Sequence, residues 1–186
     1  MSAEDDNLVR RYREGEGDAF AALFARYHRL VFNYARMTLR DASAAEDLLQ
    51  ETFLAVANGA ERYEPRGHFR AWLLGICRHR CLDWLARRRR RQKIATETGF
   101  LVLEAPVLDS PRQDLQRRER LDLTLAAMGK LPDAQREAVT FYALKELSYA
   151  EIAEVLGCPI NTVKTLIRRG RLRLAKLLAK ADGIPS

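Results

Sequence analysis

Apolar residues recur at steps of three and four in two separate stretches of this chain, and the recurrence fails between them. Residues 1–91 contain pairs such as Leu23 and Tyr27, whose spacing is typical of an amphipathic helix, and residues 115–186 show the same pattern. The intervening residues, 92–114, contain one glycine and two prolines and keep no sustained period. We therefore predict an all-α chain, in which two small helical domains are joined by an acidic, flexible linker.

Boundary signals divide the first stretch into three predicted helices. Asp18 is the candidate N-cap of the first helix. Ser43 and Glu46 form a candidate capping box for the second helix, which Gly59 is expected to end. The third helix follows a loop at 60–68 that contains a proline and a glycine, and it leads into a run of five consecutive arginines.

Positive charge is concentrated in two runs. The chain has 32 basic and 25 acidic side chains, and so a formal charge of +7. Residues 78–93 hold eight Lys or Arg against one acid, and residues 161–180 hold seven and no acid. One such run is also typical of a solvated helix face, but here there are two, and each closes a predicted helical module. The five consecutive arginines repel one another unless a polyanion neutralises them. This pattern favours nucleic acid as a partner.

Several classes of protein are disfavoured by composition. The longest apolar runs are far shorter than the roughly 18 residues that a membrane span needs. The N-terminal residues have no apolar core of the kind that directs export. Three cysteines are too few for a disulfide framework. We expect a cytoplasmic protein with no membrane insertion.

Residues 148–173 have the pattern of a helix-turn-helix. Ser148 and Glu151 form a candidate capping box, and Gly157 stands where a tight turn between helices needs a positive φ. Pro159 can begin a helix but cannot continue one. Ala153 is small enough for a second helix to cross closely above it. The alternative is an ordinary helical hairpin that does not bind DNA.

In a helix-turn-helix, the N-terminal end of the second helix enters the major groove of DNA. We expect Val163, Ile167 and Leu174 to pack inward. Lys164 is the candidate for the groove floor and Arg169 for a phosphate contact. The predicted DNA-facing residues are Asn161, Thr162, Lys164, Thr165, Arg168 and Arg169.

Two clusters in the first domain are candidates for binding. Asp47, Gln50 and Glu51 lie within about one helical turn and form an acidic face, although many exposed helices have such a face. Aromatic residues also interleave with cations between residues 63 and 91, a combination that binds unpaired bases and phosphates. Tyr63 and Phe69 are the candidates for base stacking. We expect Trp72 to pack in the core, while the position of Trp84 stays open.

Cys77, His79 and Cys81 invite a metal-site interpretation, which we reject. At helical spacing the two cysteines share a face from which His79 points away, and no fourth ligand is evident. The chain has no phosphate-binding glycine loop, catalytic triad or paired carboxylates. We expect no metal, no cofactor and no enzymatic activity.

Four motifs together resemble a known family. They are Ala45–Phe53 (AEDLLQETF), Phe69–Ile76 (FRAWLLGI) with Asp83, Leu131–Arg136 (LPDAQR), and Leu147–Ala153 (LSYAEIA) with Thr162–Lys164. In this order and spacing, the chain resembles the extracytoplasmic-function group of bacterial sigma-70 RNA polymerase sigma factors. The resemblance covers about residues 18–91 and 115–178.

The resemblance implies that residues 1–91 form sigma domain 2, residues 92–114 the linker, and residues 115–186 sigma domain 4. It implies promoter DNA, bacterial core RNA polymerase and an anti-sigma factor as partners. The docking residues on core polymerase would be Asp47, Gln50, Glu51 and Phe53. Contacts to the −10 element would come from Arg62, Tyr63, Phe69, Arg78, His79, Asp83, Arg87 and Arg88, while domain 4 would read the −35 element.

Three positions depart from the family pattern, namely His79, Asn161 and Leu166. The first bears on −10 preference and the other two on −35 contacts. Two further classes compete with the sigma-factor interpretation. A helix-turn-helix regulator would bind duplex DNA without core polymerase. A nucleic-acid-processing enzyme is disfavoured by the lack of a catalytic cluster.

Overall fold

The computed structural model describes residues 2–97 and 123–181, and the regular structure within these ranges is helical, without a strand. The all-α prediction is confirmed. The chain divides into two compact units, Met1–Leu108 and Asp109–Ser186, called unit 1 and unit 2 below. None of the helices within the described ranges combines the length and the apolar character needed to cross a bilayer.

Among the described residues of unit 1, which end at 97, there are four helices and one short 3-10 turn. They are α1 (Ser2–Arg13), α2 (Gly17–Leu39), α3 (Ala42–Gly59), the 3-10 turn (Ala60–Arg62) and α4 (Phe69–Glu97). α2, α3 and α4 pack on one another, and α1 packs on α2. Val31, Leu48 and Leu73 from these three helices are buried in the shared core.

Helix α1 has no counterpart among the predicted helices. Its buried apolar face is small and consists mainly of Val9. The helix is instead fixed by a buried carboxylate, because Asp5 accepts hydrogen bonds from Arg26 and Tyr27 of α2 at 2.5 and 2.6 Å. Apolar periodicity cannot detect a helix that is docked through polar bonds.

Two predicted helix starts, at Asp18 and at Ser43, are wrong, because α2 and α3 each begin earlier. The N-cap position of α2 is Glu16, which makes no side-chain cap, and Asp18 lies inside the first turn. Asp41 caps α3, where its side chain accepts a hydrogen bond from the Ala44 amide at 3.0 Å. Ser43 is exposed within the first turn.

The reason for the shifted start of α3 is a very short connection. Arg40 adopts a left-handed conformation with φ of 59°, which ends α2, and Asp41 is extended. The chain therefore reverses within two residues, and the cap falls earlier than Ser43. The predicted capping box of Ser43 and Glu46 is wrong.

Helix α4 extends farther than predicted. It begins at Phe69, as expected, passes through the arginine run, and ends at Glu97. Residues 92–97 of the predicted linker are therefore helical. The rest of the predicted linker and the start of the predicted second domain, residues 98–122, lie outside the described residues.

Unit 2 contains α5 (123–129), α6 (Asp133–Ala143), α7 (Tyr149–Leu156) and α8 (Ile160–Ala181). α8 packs on both α6 and α7. Its approach to α6 is close at Gly170, where an added Cβ would lie 2.6 Å from the Cγ2 atom of Val139. Phe141 of α6 and Ile152 of α7 are fully buried.

Candidate nucleic-acid and partner interfaces

The predicted helix-turn-helix is present in unit 2. The Ser148 hydroxyl accepts a hydrogen bond from the Glu151 amide at 3.2 Å, and the Glu151 carboxylate accepts one from the Ser148 amide at 2.8 Å. The capping box of α7 is thereby confirmed. Gly157 has a φ of 64°, as the turn requires, and α8 begins directly after Pro159.

The N-terminal half of α8 has one buried face and one exposed face. Val163 and Ile167 are buried, as predicted. The Thr165 hydroxyl donates to the Asn161 carbonyl at 2.9 Å, so its remaining capacity is to accept. The exposed side chains comprise all six of the predicted DNA-facing residues, Asn161, Thr162, Lys164, Thr165, Arg168 and Arg169.

A second feature of α8 was not predicted. The Arg171 guanidinium lies over the ring of Tyr142, 5.3 Å from its centroid, and Tyr142 in turn stacks on Tyr149 at 6.1 Å. These three exposed side chains come from α8, α6 and α7. The stack therefore ties all three helices together on the surface, and it involves residues too far apart in sequence to give a local signal.

The acidic face of α3 is present, with a different apolar member. Asp47, Gln50 and Glu51 are exposed. Phe53 is only 3% exposed and packs against Phe24 with ring centroids 4.8 Å apart, so its side chain does not lie on the exposed face predicted to contact polymerase. Leu54, which is 64% exposed, lies seven residues after Asp47 and therefore on the same face.

The acidic face also contacts α4. The Glu51 carboxylate pairs with the Arg80 guanidinium at 2.9 Å, and both side chains are partly exposed. Such a pair contributes little to stability in water. It does bring a residue of the acidic face next to the basic helix.

Tyr63 and Phe69 lie in the core, so their rings are not exposed for the predicted base stacking. They are 4% and 1% exposed. Each ring packs on the other at 5.6 Å, and both pack on Trp72, at 5.0 and 5.8 Å. Trp72 is half-buried, and a Cβ on Gly59 would lie 3.4 Å from its ring. These rings form a platform beneath the loop between α3 and α4.

The loop above this platform is polar at its surface. The predicted contact residue Arg62 is exposed, as are Arg66 and His68, which the motifs did not single out. Arg66 pairs with Glu64 at 2.5 Å, and both are well exposed. The Pro and Gly residues made this loop recognisable in the sequence. Which of its side chains are exposed depends on packing against the aromatic platform.

The polar face of α4 has two local pairs. His79 and Asp83 are exposed and lie 3.4 Å apart, one turn from each other. The Arg88 guanidinium lies 5.1 Å from the centroid of the half-buried Trp84 ring. Among the other predicted residues of this helix, Arg78 is half-buried and Arg87 is exposed.

The three residues considered for a metal do not converge. Cys77 and Cys81 are buried, while His79 is exposed on another side of α4. Within residues 2–97 and 123–181, no group of three or more His, Cys, Asp or Glu side chains is arranged to hold a metal ion.

Helix α1 holds the loop through two side chains. One Asp6 carboxylate oxygen accepts a hydrogen bond from the Tyr63 hydroxyl at 2.6 Å, and the other accepts one from the Gly67 amide at 2.7 Å. The Arg13 guanidinium donates to the Ala60 carbonyl at 2.8 Å and also to the Tyr63 carbonyl. Burial, followed by the bond to Asp6, raises the pKa of Tyr63 above its ordinary value.

Comparison with known proteins decides the family. The model for Sigma-70 region 2 matches residues 23–91, and the model for Sigma-70, region 4 matches residues 121–174. The ECF RNA polymerase sigma factor SigK of Mycobacterium sp. (strain KMS) is 31% identical over 174 residues, which cover 91% of this chain and 88% of that protein. The chain belongs to the extracytoplasmic-function group of the sigma-70 family.

Two solved structures resemble this sigma factor over most of its length. CnrH in complex with the cytosolic domain of CnrY gives a TM-score of 0.73 at 26% identity, covering 95% of this chain and 98% of that one. The sigma factor RpoE from Bartonella quintana, in complex with the anti-sigma factor NepR, gives 0.66 at 26% identity, covering 86% and 96%.

The family matches coincide with the surfaces described above. The region 2 match contains the acidic face of α3, the loop and the basic part of α4. The region 4 match contains the helix-turn-helix. Helix α1 precedes both matches.

Proposed function

We propose that this sigma factor directs core RNA polymerase to specific promoters and helps to open their −10 region. One observation supports the proposal most strongly: the same chain has an exposed polar and basic face on α8 and an exposed acidic face on α3. The first face has the chemistry of a DNA reader. The second has charge opposite to that of a basic protein surface, so a protein rather than DNA is its partner.

In unit 1, Asp47, Gln50, Glu51 and Leu54 form the docking face for the clamp helices of polymerase. Leu54 takes the place first given to Phe53, because an exposed apolar side chain among carboxylates can be buried by a partner. The resemblance to sigma domain 2 supports the assignment of this face.

For the −10 element, the exposed residues of the loop and α4 contact the melted strand. Arg62 and Arg66 lie on the loop, and His79, Asp83 and Arg87 follow on α4. Tyr63 and Phe69 act from beneath, by supporting the loop rather than by stacking on a base. Unstacking a base costs a few kcal/mol, which contacts to the captured strand offset.

In unit 2, α8 reads the −35 element. Lys164 contacts a base edge, and Arg169 contacts a phosphate, which adds affinity without sequence information. Residues 1–91 act as sigma domain 2 and residues 115–186 as sigma domain 4, with a linker between them. Because polymerase carries out the chemistry, this chain needs no catalytic residue, metal or cofactor of its own.

Regulation follows from the same surfaces. An anti-sigma factor that covers the polymerase-docking faces would keep the chain inactive. The solved complex of RpoE with NepR supports a partner of this kind. We place the protein in the cytoplasm, where polymerase and DNA are found.

The deciding experiment is transcription in vitro by core polymerase reconstituted with this protein, with the 5′ ends of the transcripts sequenced. Transcripts that begin downstream of a shared pair of sequence elements are expected. If the protein binds duplex DNA but yields no such transcripts, it is a helix-turn-helix regulator instead.

Two matched pairs of variants test the surfaces. Lys164→Ala is expected to relax the preference for the −35 bases by about 1–3 kcal/mol, the discrimination that a good base contact supplies. Lys176→Ala, farther along α8, is the control. The polymerase-docking face is tested in the same way. Asp47→Lys is expected to weaken binding to core polymerase, and Glu46→Lys is its control on the same helix. An affinity for core polymerase that is the same for Asp47→Lys and wild type would place the interface elsewhere.

A further inference from the structure

Helix α1 makes hydrogen bonds with α2 on one side and with the loop between α3 and α4 on another. The buried carboxylate of Asp5, 3% exposed, is hydrogen-bonded to Arg26 and Tyr27 of α2. The next residue, Asp6, points to the loop. Successive side chains on a helix point about 100° apart, so two adjacent carboxylates can bridge two different partners.

The bonds from α1 fix both ends of the loop. Arg13 donates to the carbonyls of Ala60, which begins the 3-10 turn, and of Tyr63, which follows it. The Ala60 carbonyl also accepts the Tyr63 amide at 3.1 Å, so Arg13 reinforces this turn. Asp6 binds the amide of Gly67, where the backbone turns with a φ of 75°. The exposed residues of the loop lie between these two anchors.

This arrangement separates the residues that shape the loop from those that face solvent. Arg62 and Arg66 are exposed, whereas Asp6 and Arg13 are partly buried behind the loop. Asp6 also holds the hydroxyl of Tyr63, one ring of the aromatic platform. Removing the Asp6 charge would therefore release the loop without removing a DNA-facing side chain.

We propose that Asp6 and Arg13 are positioning residues, which hold the loop at 60–67 in the conformation that accepts an unpaired −10 base. Helix α1 thereby sets −10 specificity from outside the residues matched by the region 2 model. The inference rests on the proposed function, because it takes the loop to be the element that captures the base.

The test uses Asp6→Asn, which removes the negative charge and replaces one of the two acceptor oxygens with an amide donor, with Arg10→Ala as control. Arg10 is exposed on α1 and bonds to Asn7 rather than to the loop. In the free protein, hydrogen exchange of the amides at 60–68 is expected to accelerate in Asp6→Asn, while exchange within α2 and α3 stays at the wild-type rate. Arg10→Ala is expected to match wild type in both.

In reconstituted holoenzyme, the probe is a promoter mapped with the wild-type protein, together with copies substituted at single −10 or −35 bases. Asp6→Asn is expected to reduce discrimination against −10 substitutions by about tenfold, as for the loss of one charge-assisted hydrogen bond. Discrimination at −35 is expected to stay unchanged. A variant that only lost stability would lower transcription from all templates in the same proportion.

A second variant guards against misfolding. Tyr63→Phe removes the hydroxyl bonded to Asp6 and keeps the ring of the platform. The double variant with Asp6→Asn is expected to lose less than the sum of the two single losses, because both act on one bond. Full −10 discrimination in Asp6→Asn holoenzyme would overturn the inference alone. No promoter-specific transcripts from wild-type holoenzyme would overturn the proposed function, and the inference with it.

Discussion

The two units position their exposed residues in different ways. In unit 2 the bonds that frame the helix-turn-helix join residues three or four apart, such as Ser148 with Glu151 and Asn161 with Thr165. In unit 1 the bonds that shape the loop join residues far apart, since Arg13 binds Ala60, 47 residues away, and Asp6 binds Gly67, 61 residues away. The helix-turn-helix can therefore expose its DNA-facing residues through local bonds alone, whereas the loop of unit 1 needs side chains from distant residues to hold its shape.

The cores differ in the same sense. Beneath the loop of unit 1 lies a cluster of aromatic rings with two buried or half-buried carboxylates beside it. The core of unit 2 is mainly aliphatic, with Met128, Leu131 and Val139 packed against Leu174 and Leu177. Substitutions in the two units should therefore change the free energy of unfolding by different amounts and for different reasons.

The largest effect is expected at the platform. Phe69→Ala removes a fully buried ring that contacts Tyr63 and Trp72, and it should lower the free energy of unfolding of unit 1 by about 3–5 kcal/mol. Both tryptophans of the chain, Trp72 and Trp84, lie in unit 1, so urea unfolding followed by tryptophan fluorescence measures this unit. Leu82→Ala, at an exposed position of α4, is the control and should change little.

In unit 2 the sharpest test is the close approach at Gly170. Gly170→Ala places a methyl group 2.6 Å from Val139 and should cost about 1–3 kcal/mol through overpacking, measured by hydrogen exchange of α6 and α8. Gly75→Ala in α4, where an added Cβ meets nothing within 4 Å, should instead stabilise its helix by about 0.5–1 kcal/mol. Stabilisation by both changes would mean that α6 and α8 are not in such close contact.

Alkaline pH should destabilise unit 1. Burial, and then the bonds to Asp5 and Asp6, raise the pKa of Tyr27 and Tyr63. The unfolded chain therefore ionises first, near pH 10, so the stability contributed by these phenols is complete below that pH and is lost as pH rises beyond it. The expected loss is at most about 1.4 kcal/mol per tyrosine for each pH unit above about pH 10.

Urea unfolding followed by tryptophan fluorescence, at about pH 8 and about pH 11, measures this loss. In Tyr27→Phe the pH dependence should be smaller than in wild type. An equal dependence in the variant would show that another group is responsible.

The smallest effects concern the caps. Ser148→Ala should cost about 1 kcal/mol, because it removes the acceptor of the Glu151 amide. Asp41→Ala should cost a similar amount at α3, and Ser43→Ala close to nothing. Thermal unfolding followed by circular dichroism compares the three variants. A larger effect for Ser43→Ala than for Asp41→Ala would restore the start of α3 expected from the sequence.

Local signals explain which parts of the fold could be predicted. The capping box at Ser148, the turn at Gly157 and the buried face of Val163 and Ile167 depend on residues a few positions apart, and all were predicted correctly. The start of α3 was missed because it depends on the left-handed conformation of Arg40, which nothing in that residue type requires.

The side chains that face outward in unit 1 were harder to predict. Phe53 and Leu54 are neighbours, and the choice between them depends on which side of α3 meets α2. Tyr63 and Phe69 look like base-stacking residues by composition, but they lie beneath the loop because Trp72 and Tyr27 provide a surface for them. Long-range packing of this kind leaves no trace in a local pattern.

Helix α4 has a mechanical consequence. It runs for 29 residues, from the platform into the arginine run. At about 1.5 Å per residue, Phe69 and Arg88 are separated by about 28 Å along the helix axis. Because one continuous helix joins the loop to the arginine run, the contacts proposed for the loop and for Arg87 would be held a fixed distance apart along the melted strand.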